Sequence, residues 1–269
     1  MTSTRHLVST LRGEIAKARQ KRDTDTWFTE QRGRVLATLR NAMNVPETAV
    51  GLLVQVWPVV PAHVDEDAVH WLSDIGSELA TVLPTSLRLA VAFRRAAQSL
   101  RVHGRLRLAA VHGIRELAIH RHRDDDPDAT AAALHDLAAT YSAQERWHKV
   151  VGCADEILET YLLHDDQVGI IYALDHLGSL MIQIGRHRAA ARYLARADKA
   201  FERTPDCAGH AECLARLGLA LSVLDDGAGA RLAINRALAL VADSNDSTAH
   251  TVREIVGRAD SAEFRLEGD

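Results

Sequence analysis

Apolar residues return every three or four positions along most of the chain, as in Leu174, Leu177, Met181 and Ile184. That is the spacing of one buried face of an α-helix. Stretches in which apolar and polar residues alternate, as in a half-buried strand, are absent. Punctuation is sparse. Pro46, Pro127 and Pro205 stand where helices can begin, because a first-turn residue needs no amide donor. Pro84, Gly104, Gly185 and Gly227 fall between periodic segments. The pattern predicts helices over 4–22, 25–43, 46–56, 66–82, 86–102 and 105–122, then 128–143, 147–163, 167–184, 187–203, 208–224 and 228–242. A last helix, 248–261, carries Arg253, Glu254, Arg258 and Asp260, and reads as the solvated cap that a stacked array needs. The loop 57–65 (WPVVPAHVD) is the chief irregularity.

The most informative feature is an internal repeat. Leu134, Leu137 and Ala138 are matched one period later by Leu174, Leu177 and Gly178, and after a second equal period by Leu214, Leu217 and Gly218. The second half of each unit repeats as well: Val150, Ala154 and Ile157 align with Ala190, Leu194 and Ala197, then with Ala230, Ile234 and Ala237. Ala97 and Ala109 keep the spacing of Ala138 and Val150, so 86–122 reads as a further, eroded unit. A large residue followed by a small one lets a second helix approach closely, and the small residue opening that helix should meet it there. The larger residue four positions on should then face the next unit. No single pair buries its apolar stripe alone, so such units must stack.

The units resemble tetratricopeptide (TPR) repeats. The resemblance rests on Leu174–Asp175–His176–Leu177–Gly178, then Gly185, Ala190, Leu194 and Ala197. Two departures stand out: the period is 40 rather than the usual ~34, and Val150 occupies a position where the pattern wants Ala. A wider resemblance over 27–243 is to the C-terminal region of actinobacterial NB-ARC and antibiotic-regulatory proteins. It is carried by Trp27, Glu30, Leu36, Leu39 and Ala42 and by Leu52–Leu53–Val54–Gln55–Val56–Trp57–Pro58. In such regulators this region is the sensor or interaction array. The TPR resemblance implies a concave face built mainly from the first helix of each unit, with His135, Tyr141, Asp175, His176, Gln183 and Arg216 on it. It also places Trp147 where TPR repeats often hold an aromatic. Trp57, Trp71 and Trp147 read either as packing residues or as anchors on a binding face, and Trp147 is expected as a partner contact. No phosphate-binding loop or helix-turn-helix is evident, so ATP hydrolysis and DNA binding are not carried over.

Composition agrees with a helical array. Aromatics are 4% of 269 residues, with only 16 Gly and 6 Pro, too few for the turn density of an all-β protein. Of the 32 basic residues 28 are Arg. The three cysteines, Cys153, Cys207 and Cys213, make no disulfide framework. Residues 1–21 lack an apolar signal core, and the most apolar stretch, 50–64, is interrupted by Gln55, Pro58 and Pro61. The expectation is a cytoplasmic protein without a membrane segment. The net charge of −4 is unevenly spread: +5 over 1–45, −5 over 46–93, +7 over 94–123 and −11 over 124–269. The basic stretch either meets an acidic or nucleic-acid partner, with Arg101, Arg105 and Arg107 as its contacts, or neutralises acidic neighbours within the molecule.

Candidate chemistry is thin. Cys207, His210 and Cys213 share a helix face, but the cysteines lie about 9 Å apart along a regular axis, too far for one zinc ion. His120 and His122, followed by Asp124, Asp125 and Asp126, read as an exposed interhelix loop. Glu66 and His70 form an i,i+4 pair without a third ligand, and Asp165 and Asp166 beside His164 read as helix caps. Gly227–Ala228–Gly229 reads as a turn rather than a nucleotide loop, and the common hydrolase, metalloprotease and nucleotide signatures are missing.

The reading is therefore an all-α, TPR-like right-handed α-solenoid of about 12–13 antiparallel helices. It comprises an N-terminal helical region (1–123), a repeat array (124–243) and a capping helix with tail (244–269). The expected function is a non-enzymatic scaffold or regulatory adaptor for a protein or peptide partner, with no cofactor, metal or catalytic residue and with homo-oligomerisation left open. The alternatives are a stand-alone transcription-regulator sensor touching nucleic acid through 94–123, and an enzyme or metal-binding protein with a site in the groove.

Overall fold

The computed structural model describes residues 2–123 and 125–266, with the side chains of 4–123 and 125–259. Thirteen α-helices and one 3₁₀ turn make up the described secondary structure. They are α1 (Thr2–Lys21), α2 (Thr24–Ala42), α3 (Pro46–Val56), the 3₁₀ turn Trp57–Val59, α4 (Glu66–Val82), α5 (Leu87–Val102) and α6 (Leu106–Arg123). There follow α7 (Pro127–Ala143), α8 (Trp147–Leu163), α9 (Gln167–Gln183), α10 (His187–Phe201), α11 (Cys207–Val223), α12 (Gly227–Leu240) and α13 (Ser247–Leu266). The chain is an all-α, TPR-like solenoid. Its helices divide into two compact units, 1–153 and 154–269, the division falling inside α8.

In the first unit α3 is the organising helix. Ala49, Val50, Gly51, Leu52, Leu53 and Val56 are all buried. A helix apolar on every side must be surrounded, and α1, α2, α4 and α5 pack around it. The irregular segment after it joins the same core: Trp57 and Val59 are 1% exposed. The unit's largest enclosed side chains, Trp57, Phe28 and Phe93, all belong to that core.

The repeat period is written most plainly at helix ends. Ser86, Asp126, Asp166, Asp206 and Asp246 stand one period apart, and each side chain accepts a hydrogen bond from the amide three residues on, at Leu89, Ala129, Gly169, Gly209 and Ala249. An N-cap oxygen satisfies a first-turn amide that the helix cannot. These five caps open α5, α7, α9, α11 and α13. The last of these is thus in the register of the first helix of a further unit. Its Ala249, Val252 and Ile255 are buried, while Arg253, Glu254 and Arg258 face solvent; Asp260 has no described side chain. Replacing Asp166 by alanine is expected to cost about 1 kcal/mol. That would appear as a lower urea midpoint at constant slope; an unmoved midpoint would show that the cap is dispensable.

The helix C-termini share a register too. Gly104, Glu145, Gly185 and Asp225 take left-handed φ angles of 73°, 57°, 73° and 62°. In each case the next amide bonds back to the carbonyl five residues earlier, as from Arg146 to Tyr141 and from Arg186 to Met181. This ending satisfies orphan carbonyls and favours glycine. Gly185→Ala should therefore cost about 1 kcal/mol, measurable as a fall in thermal midpoint, whereas an unchanged midpoint would mean that the turn relaxes freely.

Two local expectations change. Gly227, Ala228 and Gly229 form the first turn of α12, capped by Asp226 at 2.9 Å, rather than a connecting turn. The small-to-large contact also differs from the expected one. A side chain on Gly178 would run into Leu194, and one on Gly218 would reach Ile234 Cγ1 at 2.6 Å. The larger residue of the second helix thus packs on the glycine of its own unit, and at Gly218 the carbonyl of the small residue Ala230 stands beside it at 3.4 Å.

Candidate functional site

The predicted contact residues fall in both units. In the second, Asp175 and Arg216 face each other across α9 and α11 at 2.7 Å, and Arg216 also donates to Glu212 at 2.6 Å. Burial raises the Asp175 pKa, with the Arg216 charge pulling the other way. His176 and Gln183 lie exposed on α9. In the first unit His135 is exposed, while Tyr141 is 6% exposed and lies beneath Lys149 and Arg146, at 4.8 and 5.7 Å from its ring. Trp147, the first residue of α8, is 41% exposed. Trp57 is core, and Trp71 is half-buried beneath Arg40.

Many polar side chains tie one repeat to the next. Gln98 and Arg101 reach Asp136, Gln144 reaches the Leu106 carbonyl, Tyr193 reaches Asp155, and Arg236 reaches both Asp198 and Glu202. The two partners are separated by about one repeat in each case. Asp198 also accepts from Arg236 a second time at 3.1 Å and meets His210 Nε2 at 2.7 Å. The His210 ring stacks on Phe201 at 5.6 Å. Cys213 is buried against the Leu194 carbonyl, while Cys207 is exposed. Burial pushes the Cys213 thiol up, reinforced by Asp175 and Asp198. A maleimide is accordingly expected to label Cys207 in the folded protein, with Cys153 and Cys213 reacting only on unfolding; prompt labelling of all three would contradict this burial.

A buried polar face on α6 escaped the sequence reading. His112, Glu116 and His120 stand one turn apart and are 1%, 0% and 7% exposed. His120 is therefore part of the packed face of α6 and not of an exposed loop, because the helix runs on to Arg123. Asp124 lies outside the described residues, and Asp126 caps α7. Ser73 donates its only proton to the Val69 carbonyl and so accepts from His112 Nε2–H at 2.9 Å. His112 Nδ1 remains a bare acceptor without a partner, between Trp57 and Phe93. Burial, then the Arg115 charge, lowers its pKa to about 3. Glu116 accepts from Arg94 Nε at 2.6 Å, yet burial raises its pKa to about 7 against the pull of that guanidinium. Its Oε2 has no partner. The signal was present as a polar residue on every fourth position of a helix that should bury that face.

The arginines of the basic stretch are used in different ways, and Arg95 and Arg115 reach the Val54 and Ser73 carbonyls. Arg94, Arg101 and Arg123 pair with Glu116, Asp136 and Asp125. Arg105 and Arg107 instead line a cleft of about 1020 Å³ in the first unit, together with Arg146, Gln144, His70 and Glu66. Arg105 donates to the Val64 carbonyl at 2.5 Å and lies 3.5 Å from that of Ala62. His70 Nδ1 bonds to the Glu66 carbonyl at 2.8 Å, so the predicted i,i+4 pair meets through the backbone. Among the described residues no three His, Cys, Asp or Glu side chains are placed to hold a metal ion, and no helix is long and apolar enough to cross a membrane.

No protein-family model matches the sequence, and neither does any curated protein. Solved structures are similar in fold. BtubC (BKLC) from P. vanneervenii aligns over 91% of this chain and 93% of its own, with TM-score 0.52 and 17% identity. A Podosopora anserina protein with nearly identical TPR-like repeats aligns over 81% of this chain and 98% of its own, at TM-score 0.52 and 14% identity. A signal-transduction ATPase with numerous domains (STAND) from Pyrococcus horikoshii, with a tetratricopeptide repeat sensor, aligns over 97% of this chain but 46% of its own, at TM-score 0.55 and 12% identity. At these identities the likeness concerns architecture, and it agrees with the recurring register of caps and turns: the chain is a TPR-like helical repeat protein.

Proposed function

We propose that the protein is a non-enzymatic scaffold or regulatory adaptor that binds a protein or peptide partner. The observation that carries this reading is the TPR-like stack itself, whose units are tied by one-repeat-long hydrogen bonds and ion pairs. A surface held this way is ordered before binding, so the partner bears most of the ordering cost. The polar groups that could do chemistry, Asp175, Asp198, His112 and Glu116, are engaged with Arg216, Arg236, Ser73 and Arg94. In the Pyrococcus horikoshii STAND ATPase the repeat array is a sensor. Together with the resemblance to actinobacterial regulators, this supports a sensing or adaptor role in the cytoplasm. Capture of the tagged chain from its native cell should yield a reproducible protein partner that binds again when purified. No such partner, with a small metabolite instead raising the thermal midpoint, would replace the scaffold reading with a ligand-binding one.

A further inference from the structure

We propose that the basic cleft of the first unit is the docking site for an acidic peptide segment of the partner, engaged through its Asp and Glu side chains. This rests on the scaffold reading and names the partner's chemistry. The cleft concentrates Arg105, Arg107 and Arg146 with His70, and Glu66 is the only acidic side chain in its lining. Among the described residues none of these three guanidiniums is ion-paired. Several other arginines of the unit do meet carboxylates, as Arg32 does Asp65, Arg34 Glu14, Arg94 Glu116 and Arg101 Asp136. Positive charge is thus left without an ion pair in this cleft, which is about three times the volume of the other arginine-lined hollow of the unit, at Arg5, Arg12 and Arg88.

Two of the donors, Arg105 and Arg146, are also held in position. The Val64 and Ala62 carbonyls fix Arg105 without neutralising it. The Tyr141 ring supports Arg146 at 5.7 Å. Gln144 locks the end of α7 to the start of α6 through the Leu106 carbonyl at 2.7 Å. Arg107 is exposed. Planar guanidiniums set in this way match carboxylates in bidentate fashion.

Shape and charge select the occupant. A cleft of about 1020 Å³ is at the upper end of the range for small-molecule sites and admits several residues of extended chain. Glu66 in the wall, and a net charge of −5 over 46–93, oppose a uniform polyanion such as duplex DNA. A peptide can set its carboxylates against the arginines and a neutral residue against Glu66.

The test is fluorescence anisotropy of a labelled eight-residue peptide of alternating glutamate and alanine, acetylated and amidated so that only side-chain carboxylates are present, titrated with the full chain. Arg107→Glu combined with Arg146→Glu should weaken binding at least about tenfold. Arg105 is left intact because it supports the 62–64 backbone. Arg188→Glu with Arg192→Glu, the same charge change on exposed positions of α10, should leave binding nearly unchanged, and thermal melts confirm that both variants fold. Rising sodium chloride should weaken the wild-type complex. Absence of binding by this peptide, or equal losses in the two double variants, would overturn the proposal. So would a duplex oligonucleotide that binds more tightly than the peptide and is lost in the cleft variant. A native partner held equally by wild type and cleft variant would leave the scaffold reading standing and remove the cleft from it. Absence of any native partner would remove the scaffold reading whatever the peptide does.

Discussion

Arg94→Ala is expected to lower stability by roughly 3 kcal/mol at pH 8, because it strands a buried carboxylate without its cation. Glu116 is fully enclosed and Arg94 Nε is its 2.6 Å donor. The loss should shrink as the pH falls, since the carboxyl can take up a proton instead. Burial already raises its pKa to about 7 from an ordinary 4.5. The folded chain therefore holds this proton more tightly than the unfolded chain. Stability from this group is full below pH 4.5, declines as the pH rises to about 7, and is flat above. At about 1.4 kcal/mol per pH unit, the decline is roughly 3 kcal/mol. Glu116→Gln keeps an acceptor for Arg94 and has no proton to lose, so its stability relative to wild type should rise by about that amount between pH 4.5 and pH 8. Urea melts of wild type and both variants across this range check both statements. A cost of Arg94→Ala that does not vary with pH, or parallel profiles for wild type and Glu116→Gln, would refute them.

Leu194→Ala should cost about 2–5 kcal/mol, because the side chain is wholly buried in the second unit and fills the space against Gly178. Gly178→Ala alone drives a methyl group into Leu194. Overpacking of about 1–3 kcal/mol then outweighs the helix propensity gained, about 1 kcal/mol. Together the changes should be less damaging than the sum of the two, since the new methyl occupies part of the vacated volume. A double-mutant cycle by chemical denaturation should return a favourable coupling of about 0.5–3 kcal/mol. Strict additivity would show that the glycine does not set the distance between α9 and α10.

Helix positions were legible in the sequence to within about two residues at most ends. Local rules place them: Asp126, Asp166, Asp206 and Asp246 cap within three residues of themselves, and Gly185 supplies its own left-handed turn. The repeat was legible because one packing solution recurs in every period, as at Gly178 and Gly218. Less of the candidate site could be read. Asp175 and Arg216 are expected from the TPR resemblance as contacts on the concave face, but nothing in the pattern says that they meet each other. Arg101, Arg105 and Arg107 look alike in sequence. The structure gives the first to Asp136 and sets the other two in the cleft with Arg146, which lies about one repeat further along the chain.

The sequence by itself determined helical class, element ends and repeat register, because each depends on groups within one or two helical turns, which the chain's own order brings together. Only the tertiary structure decided which charges are cancelled and which remain. Those pairings join residues about one repeat apart, and their strength depends on how far the packing of α4, α5 and α7 against α6 excludes water from Ser73, Arg94, His112 and Glu116. Burial turns an ordinary glutamate into a group that titrates near neutrality, while its absence leaves Arg107 and Arg146 free to meet a partner.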